Sequence, residues 1–293
     1  MRRRERGAAI LMAMLVVALG TLLVSGAALR QSVLVRQVEN EAAAMQARAL
    51  MAGAIDWVRV ILREDARTSA TDHLAEPWAV PLARTRIEAS ADRAAQLTGR
   101  IEDAQARYNL RNLSGAAGLV PAEVAVLGRL LVLAGERTVS AERLARRVAA
   151  AYAVVPGSAS TMPATLDDIV PEDDAERTAL SRLRPYVTLL PVATPVNANT
   201  ASPEVLSARF DNLAFADAQR LVASRDRTLF RDFNDVIGRL PGLNPTGGIG
   251  QIASGSNFFL LRGMIEYQRA RIEATVLLRR EGERVDIVWS REA

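Results

Sequence analysis

From Ala8 to Leu29 the chain runs 22 residues without a charged side chain, directly after a leader, Met1-Arg-Arg-Arg-Glu-Arg-Gly7, that is more than half arginine. A helix rising about 1.5 Å per residue over that length reaches roughly 30 Å, the thickness of a bilayer core. The arginines before it are expected to stay on the cytoplasmic side, which sends everything after Leu29 across the membrane. Any fold proposed for the remaining residues must therefore begin at the end of a membrane helix.

The charge distribution supports that division. The whole chain carries a net +4, and the first seven residues hold four arginines against one glutamate. Only about +1 remains for the other 286 residues, so the high isoelectric point reflects topology and not a nucleic-acid surface. With no cysteine and a single histidine, His73, disulfides, thiol nucleophiles and zinc centres are excluded by composition. His73 itself, beside Asp72 and Glu76, reads as a surface loop residue. The glycine-rich run Pro241 to Gly250 lacks the Gly-Lys-Ser/Thr ending of a phosphate-binding loop.

No helix breaker follows Leu29 until Pro77. Leu34, Val38, Ala42, Met45, Ala49, Ala52, Ile55, Val58 and Leu62 recur at three- or four-residue spacing, so residues 30–64 are expected to continue the helix as an amphipathic stretch. One helix of about fifty residues would then bury its far half in a globular domain. Thr85 to Asp92 alternates as a half-buried strand, and a second strand is expected from Ile101 towards Leu113. Pro121 to Tyr152 reads as helical, 156–163 as loop, and Ser202-Pro203-Glu204 as a capped helix start. After Asn257 alternation returns in three runs, ending with Val285, Ile287 and Trp289 on one side, and Glu281-Gly-Glu283 offers a turn. The expected class is α+β: a long N-terminal helix on an antiparallel sheet formed by 65–113 and 251–293, with a large helical insertion at 114–250.

Several runs resemble a known family. A basic leader ending in Gly7, a small Ala8 and a long apolar helix look like a type IV pilin or pseudopilin. Within that group, Arg107, Asn109, Leu110, Asn112 and Leu113, the run Leu183-Arg-Pro-Tyr-Val-Thr-Leu-Leu-Pro191, and Pro195-Val-Asn-Ala-Asn-Thr-Ala-Ser-Pro-Glu-Val-Leu206 resemble the K-type minor pseudopilins of type II secretion. The resemblance implies cleavage by the prepilin peptidase between Gly7 and Ala8, with N-methylation of Ala8. It also implies a bacterial inner-membrane protein, single-pass, with its C-terminal domain periplasmic. The fifth residue from Ala8 is Met12, where most pilins carry a glutamate that pairs with a neighbour's amine; its absence is the K-type pattern and implies a place at the tip of the pseudopilus. The implied partners are the I-type and J-type minor pseudopilins, the peptidase and the inner-membrane assembly platform, and the implied role is structural and not enzymatic.

Two further expectations remain. Asp167, Asp168, Glu172, Asp173 and Asp174 form an acidic cluster, and calcium is the one cofactor the resemblance would allow, although the spacing fits no EF-hand loop. Residues 195–240 also resemble the helix-hairpin-helix of DNA-uptake receptors, which makes a membrane-anchored DNA-binding protein the alternative reading. Its hairpin, Asp211 to Phe215, lacks glycine, and six acids balance six arginines across 197–240, leaving little counterion release to drive DNA binding.

Overall fold

The computed structural model describes residues 2–90, 93–152, 162–240 and 242–292. Helix α1 spans Arg2–Thr68. It is longer than the fifty residues expected because the helix also runs back through Gly7 into the arginine leader. Its C-terminal half lies on a five-stranded antiparallel sheet, β1 (Leu82–Ser90), β2 (Arg93–Asp103), β3 (Phe258–Tyr267), β4 (Ala270–Glu281) and β5 (Arg284–Glu292), in that spatial order. Neighbours in sequence are neighbours in the sheet, except that about 150 residues intervene between β2 and β3.

Alternation along the strands decides which side chains meet the helix. Leu97, Ile101, Leu261, Ile265, Val276, Leu278 and Val285 form one buried layer with Ala43, Ala47, Met51, Val58 and Leu62 of α1. Each fully buried side chain of this size stabilises the fold by about 1.5–3 kcal/mol. The expected stripe is correct at Val58 and Leu62 and partly buried at Ile55, but Ala42, Met45, Ala49 and Ala52 are exposed. Residues 42–54 are rich in alanine on two faces, so spacing alone does not choose between them. The face that meets the sheet continues Val58 backwards through Met51, Ala47 and Ala43. At its polar margin α1 is clipped to the β4–β5 turn, where Arg59 and Arg63 donate to the carbonyls of Val285 (2.9 Å) and Glu283 (3.2 Å).

The strand expected at Thr85 to Asp92 is β1, ending at Ser90, with Ala91 and Asp92 outside the described residues. The second strand starts earlier than expected, at Arg93, and stops at Asp103, whose side chain accepts from the Gln105 amide and turns the chain into a 3-10 helix. The turn at Gly282 is present with φ +56. Val285 and Trp289 do not share a face: Val285 packs towards α1, whereas Trp289 packs with Leu277 and Phe258 on the outer face. Leu277 pairs with Trp289 and Leu278 with Ile287, so an extra residue at Val288 reverses the parity.

Between β2 and β3 the chain builds a second core. Helices α2 (Pro121–Leu133), α3 (Ala141–Tyr152), α4 (Asp174–Leu183), α5 (Pro203–Arg209), α6 (Phe215–Arg225) and α7 (Phe233–Gly238) surround Leu127, Leu130, Leu144, Leu183, Leu206 and Phe230. The expected helical stretch from Pro121 is two helices, broken after Gly135 at φ +75. This core also takes in Tyr108, Leu110, Leu113 and Ile252. Most of the loop expected at 156–163 lies outside the described residues. As expected, Ser202 caps α5 by accepting from the Val205 amide, with Pro203 at its first position.

Candidate functional site

The first site expected from sequence is the N-terminal helix. An 18-residue window in it reaches a mean hydropathy of 2.2 and none of that window is buried. Met12, Leu15, Leu22 and Leu23 are all more than half exposed, so this half of α1 presents an apolar surface that suits a lipid or helical surrounding. Gly7 and Ala8 lie in the helical backbone of α1. Met12 is four residues on, about one helical turn.

The second region is the joint between sheet and helical lobe, where the asparagines of the resemblance motifs sit. Asn109 donates to the carbonyl of Val192 (2.7 Å) and accepts from the Leu190 amide (3.2 Å), while Asn112 makes a matching pair with the carbonyl and amide of Thr194 (2.9 and 3.0 Å). Asn197 donates to Asp103 (2.9 Å), to the Asp72 carbonyl (3.0 Å) and to Ser256 (3.1 Å). Asn199 brackets Phe230 in the same two-sided way (2.8 and 2.9 Å). Side-chain amides are suited to this role because each offers donor and acceptor to a peptide group otherwise buried without a partner. Asp103 gathers Thr200 (2.5 Å), Ser256 (2.7 Å), Asn197 and the Gln105 amide (2.8 Å). Burial nevertheless holds its carboxyl above the usual carboxylate range, against the pull of those donors.

Beside this joint lies a cluster that sequence reasoning did not assemble. Asp65 from the end of α1, Asp72 and Glu76 are buried with carboxylate oxygens within 4.8 Å of one another. Their cation is Arg280 of β4, which donates to Asp65 (2.6 Å) and Asp72 (2.5 and 2.7 Å) and lies over the Phe259 ring (4.7 Å). Burial pushes the Asp65 carboxyl up to about 6, opposed by its bond to Arg280 and reinforced by the negative charges of Glu76 and Asp72. Glu76 also accepts from the Trp78 indole (2.7 Å) and the His73 amide (2.9 Å). His73 is thus half-buried against Glu76 and not the solvated residue expected. Residues 65, 72 and 280 belong to three separate stretches of sequence, and only the fold reveals that they meet.

The expected acidic cluster does not fit a calcium ion. Its members face different arginines: Asp167 meets Arg184, Asp168 meets Arg291 (2.8 Å), Glu172 meets Arg147, Asp173 meets Arg143 (2.6 Å) and Asp174 meets Arg177. A hard cation needs six to eight converging oxygens.

Block 195–240 holds α5, α6 and α7, and the first two are joined by a hairpin in which Asn212 takes the left-handed backbone (φ +64) in place of glycine. Of its six arginines, Arg209 and Arg225 are buried and Arg239 is half-buried, whereas Arg220, Arg227 and Arg231 are exposed beside the acids of the same block. Arg209 is buried and meets Glu123 through two bonds (2.6 and 2.9 Å), and Arg225 donates to the carbonyls of Ala198 (2.7 Å) and Ala201 (2.5 Å). Cations spent on internal carbonyls and carboxylates are not available to phosphates.

The family described as "Type II secretion system (T2SS), protein K" matches residues 196–252, the block in which a DNA-binding alternative was to be sought. The match takes in Asn197 and Asn199 of the joint together with the hairpin. The chain is a relative of type II secretion system protein K. The protein of that name from Pseudomonas aeruginosa is 28% identical over 284 residues, covering 88% of this chain and 84% of its own. The one from Pectobacterium carotovorum subsp. carotovorum is 25% identical over 321 residues, covering 98% of this chain and 96% of its own. A chain in the crystal structure of the GspK-GspI-GspJ complex from the enterotoxigenic Escherichia coli Type 2 Secretion System has the same fold, with TM-score 0.68 over 88% of this chain and 99% of that one, at 20% identity. The K-type resemblance therefore extends through sheet, joint and helical lobe, and the DNA-binding alternative is not supported.

Proposed function

We propose that this chain is a minor pseudopilin of type II secretion that sits at the tip of the pseudopilus and helps start its assembly. The observation that carries the reading is the continuity of α1. A bare apolar half leads without a break into a half locked on a sheet, within a chain similar to K-type proteins over nearly its whole length. Residues 8–29 hold it in the bacterial inner membrane, and the sheet and helical lobe lie in the periplasm. The prepilin peptidase cuts between Gly7 and Ala8 and the new amine of Ala8 is methylated. The apolar helix then exchanges lipid for neighbouring helices, a transfer between two apolar surroundings that is driven by packing.

Met12 supports the tip position, since it supplies no carboxylate to a neighbour's amine. The helical lobe supports it too, because its bulk would obstruct a further subunit. The partners are the I-type and J-type minor pseudopilins, the peptidase and the assembly platform, and the role is assembly without catalysis. Coexpression of the full chain with I-type and J-type subunits, followed by affinity purification in detergent, tests the reading. A stable ternary complex is expected; recovery of this chain alone, with the other two forming a pair without it, would contradict it.

A further inference from the structure

Between α1 and the sheet, on the side of β1 and β2, lies an open hollow of about 330 Å³, at the lower end of the size range of ligand sites. Met51, Ala54 and Val58 of α1 lie on one side of it, and Leu97, Gly99 and Leu261 of the strands on the other. The exposed members of its lining, Trp57, Pro77 and Val80, mark its mouth; Trp57 is 47% and Val80 63% exposed. Apart from Arg100 the lining is aliphatic or aromatic, and the Arg100 guanidinium is held by Glu102 (2.6 Å). An occupant of this space therefore finds apolar contacts and no charged partner.

The chain leaves the space open where a core would close it. Gly99 of β2 stands directly opposite Gly263 of β3. A Cβ at Gly263 would meet the Met51 sulfur, so that glycine admits α1. One at Gly99 would touch only the backbone of β3, at the Arg262 carbonyl and the Gly263 Cα, so the helix does not fill the space over it. Glycine inside a strand weakens it and often marks the close approach of a ligand or of another chain.

We propose that this hollow receives an apolar side chain of a partner subunit whose own helix leaves the bilayer beside α1. The inference rests on the pseudopilin reading and adds to it the place where the partner is anchored. Two observations select this occupant. Ala54 lies 25 residues beyond Leu29 on one continuous helix, about 38 Å along its axis, whereas the chains of one lipid leaflet reach only about 15 Å. Bilayer lipid is thus too short to fill the hollow. The apolar surface of α1 also does not stop at the membrane: Leu34, Val38, Met45 and Val60 are exposed at helical spacing, with Ala42 and Ala49 between them. This is the stripe that the sequence predicts and the sheet does not use, and Trp57 stands at its margin beside the hollow. A neighbour that covers the apolar span and continues upward along this stripe arrives at the mouth.

Coexpression of the full chain with I-type and J-type subunits, with affinity purification after the complex has formed in the membrane, tests the inference in two variants. Ala54→Leu adds bulk inside the hollow and Val80→Glu sets a charge at its mouth. Each is expected to lower recovery of a partner subunit at least about tenfold, while the unfolding midpoint stays level for Val80→Glu and stays level or rises for Ala54→Leu. A photoreactive p-benzoylphenylalanine in place of Val80 should cross-link to that same subunit, and one in place of Glu273, exposed on the opposite face of the sheet, should not. The cross-link decides the matter for any variant that unfolds early. No complex from the parent chain would overturn the pseudopilin reading, and the inference with it. A parent complex with full recovery in either variant, or a probe at position 80 that captures only lipid or detergent, would overturn the inference alone.

Discussion

Asn197 donates to Asp103 across 2.9 Å, and through that bond a motif residue of the helical lobe is fixed to the last residue of a sheet strand. Neither group is exposed to water. Asn197→Ala should therefore destabilise the folded domain by about 1–3 kcal/mol, since it removes a donor from a buried carboxylate and from the Asp72 carbonyl at once. Urea unfolding followed by circular dichroism measures this, and a midpoint within error of the parent would show that the joint does not depend on the amide.

Arg280 is the only cation bonded to both Asp65 and Asp72 among the described residues. Arg280→Met keeps most of the side chain's length but leaves those carboxylates buried and unpaired, which should cost about 3–5 kcal/mol. The same unfolding measurement reads the loss. Asp65→Asn in the Arg280→Met background should recover part of it, and a background in which it recovers none would argue that Arg280 acts through packing on Phe259.

These two sites show what the sequence could and could not reveal. The asparagines at 109, 112, 197 and 199 were legible as motif residues, but a motif states no partner, and each donates to a backbone carbonyl as far as 125 residues away. The long apolar helix, the capped start at Ser202 and the C-terminal meander were legible because each rests on local periodicity or local turn chemistry. The packing face of α1 was not, since alanine occupies both candidate faces between residues 42 and 54. The Val288 bulge was invisible for a similar reason: alternation assumes that no residue is inserted. Arg280 with Asp65 and Asp72 is a product of topology, which pairs the end of α1 with a strand more than 200 residues later.

A pH dependence follows from Asp65. Its folded carboxyl, at about 6 against an ordinary 3.8, keeps a proton that the unfolded chain has already released. Stability from this group is complete below pH 3.8 and is lost as pH rises through about 6. Glu102 and Asp168 shift the opposite way, so their contributions disappear on acidification. The difference in unfolding midpoint between the parent and Asp65→Asn, followed from pH 4 to pH 7, should isolate the Asp65 part as a relative gain for the variant at the upper end. A difference that does not change with pH would contradict the assignment.

Under α1, Gly99 and Gly263 face each other on adjacent strands and leave an apolar hollow of about 330 Å³ beside Met51 and Trp57. A Cβ at Gly263 would meet the Met51 sulfur at 3.5 Å, an ordinary van der Waals distance, whereas one at Gly99 would press on the Arg262 carbonyl at 3.3 Å. Gly263→Ala should therefore stabilise by about 0.5–1 kcal/mol through filled space and a less flexible unfolded chain. Gly99→Ala should gain less or lose. Thermal unfolding of the two variants side by side checks the order.

The central claim is that Gly7–Ala8 is a processing junction on a pseudopilin. Intact-mass and N-terminal analysis of the full chain, coexpressed with an active prepilin peptidase, tests it most directly. The account predicts a protein beginning at Ala8 and carrying one added methyl group on its amine. A chain that still begins at Met1, in cells where the same peptidase processes a control pilin, would contradict it.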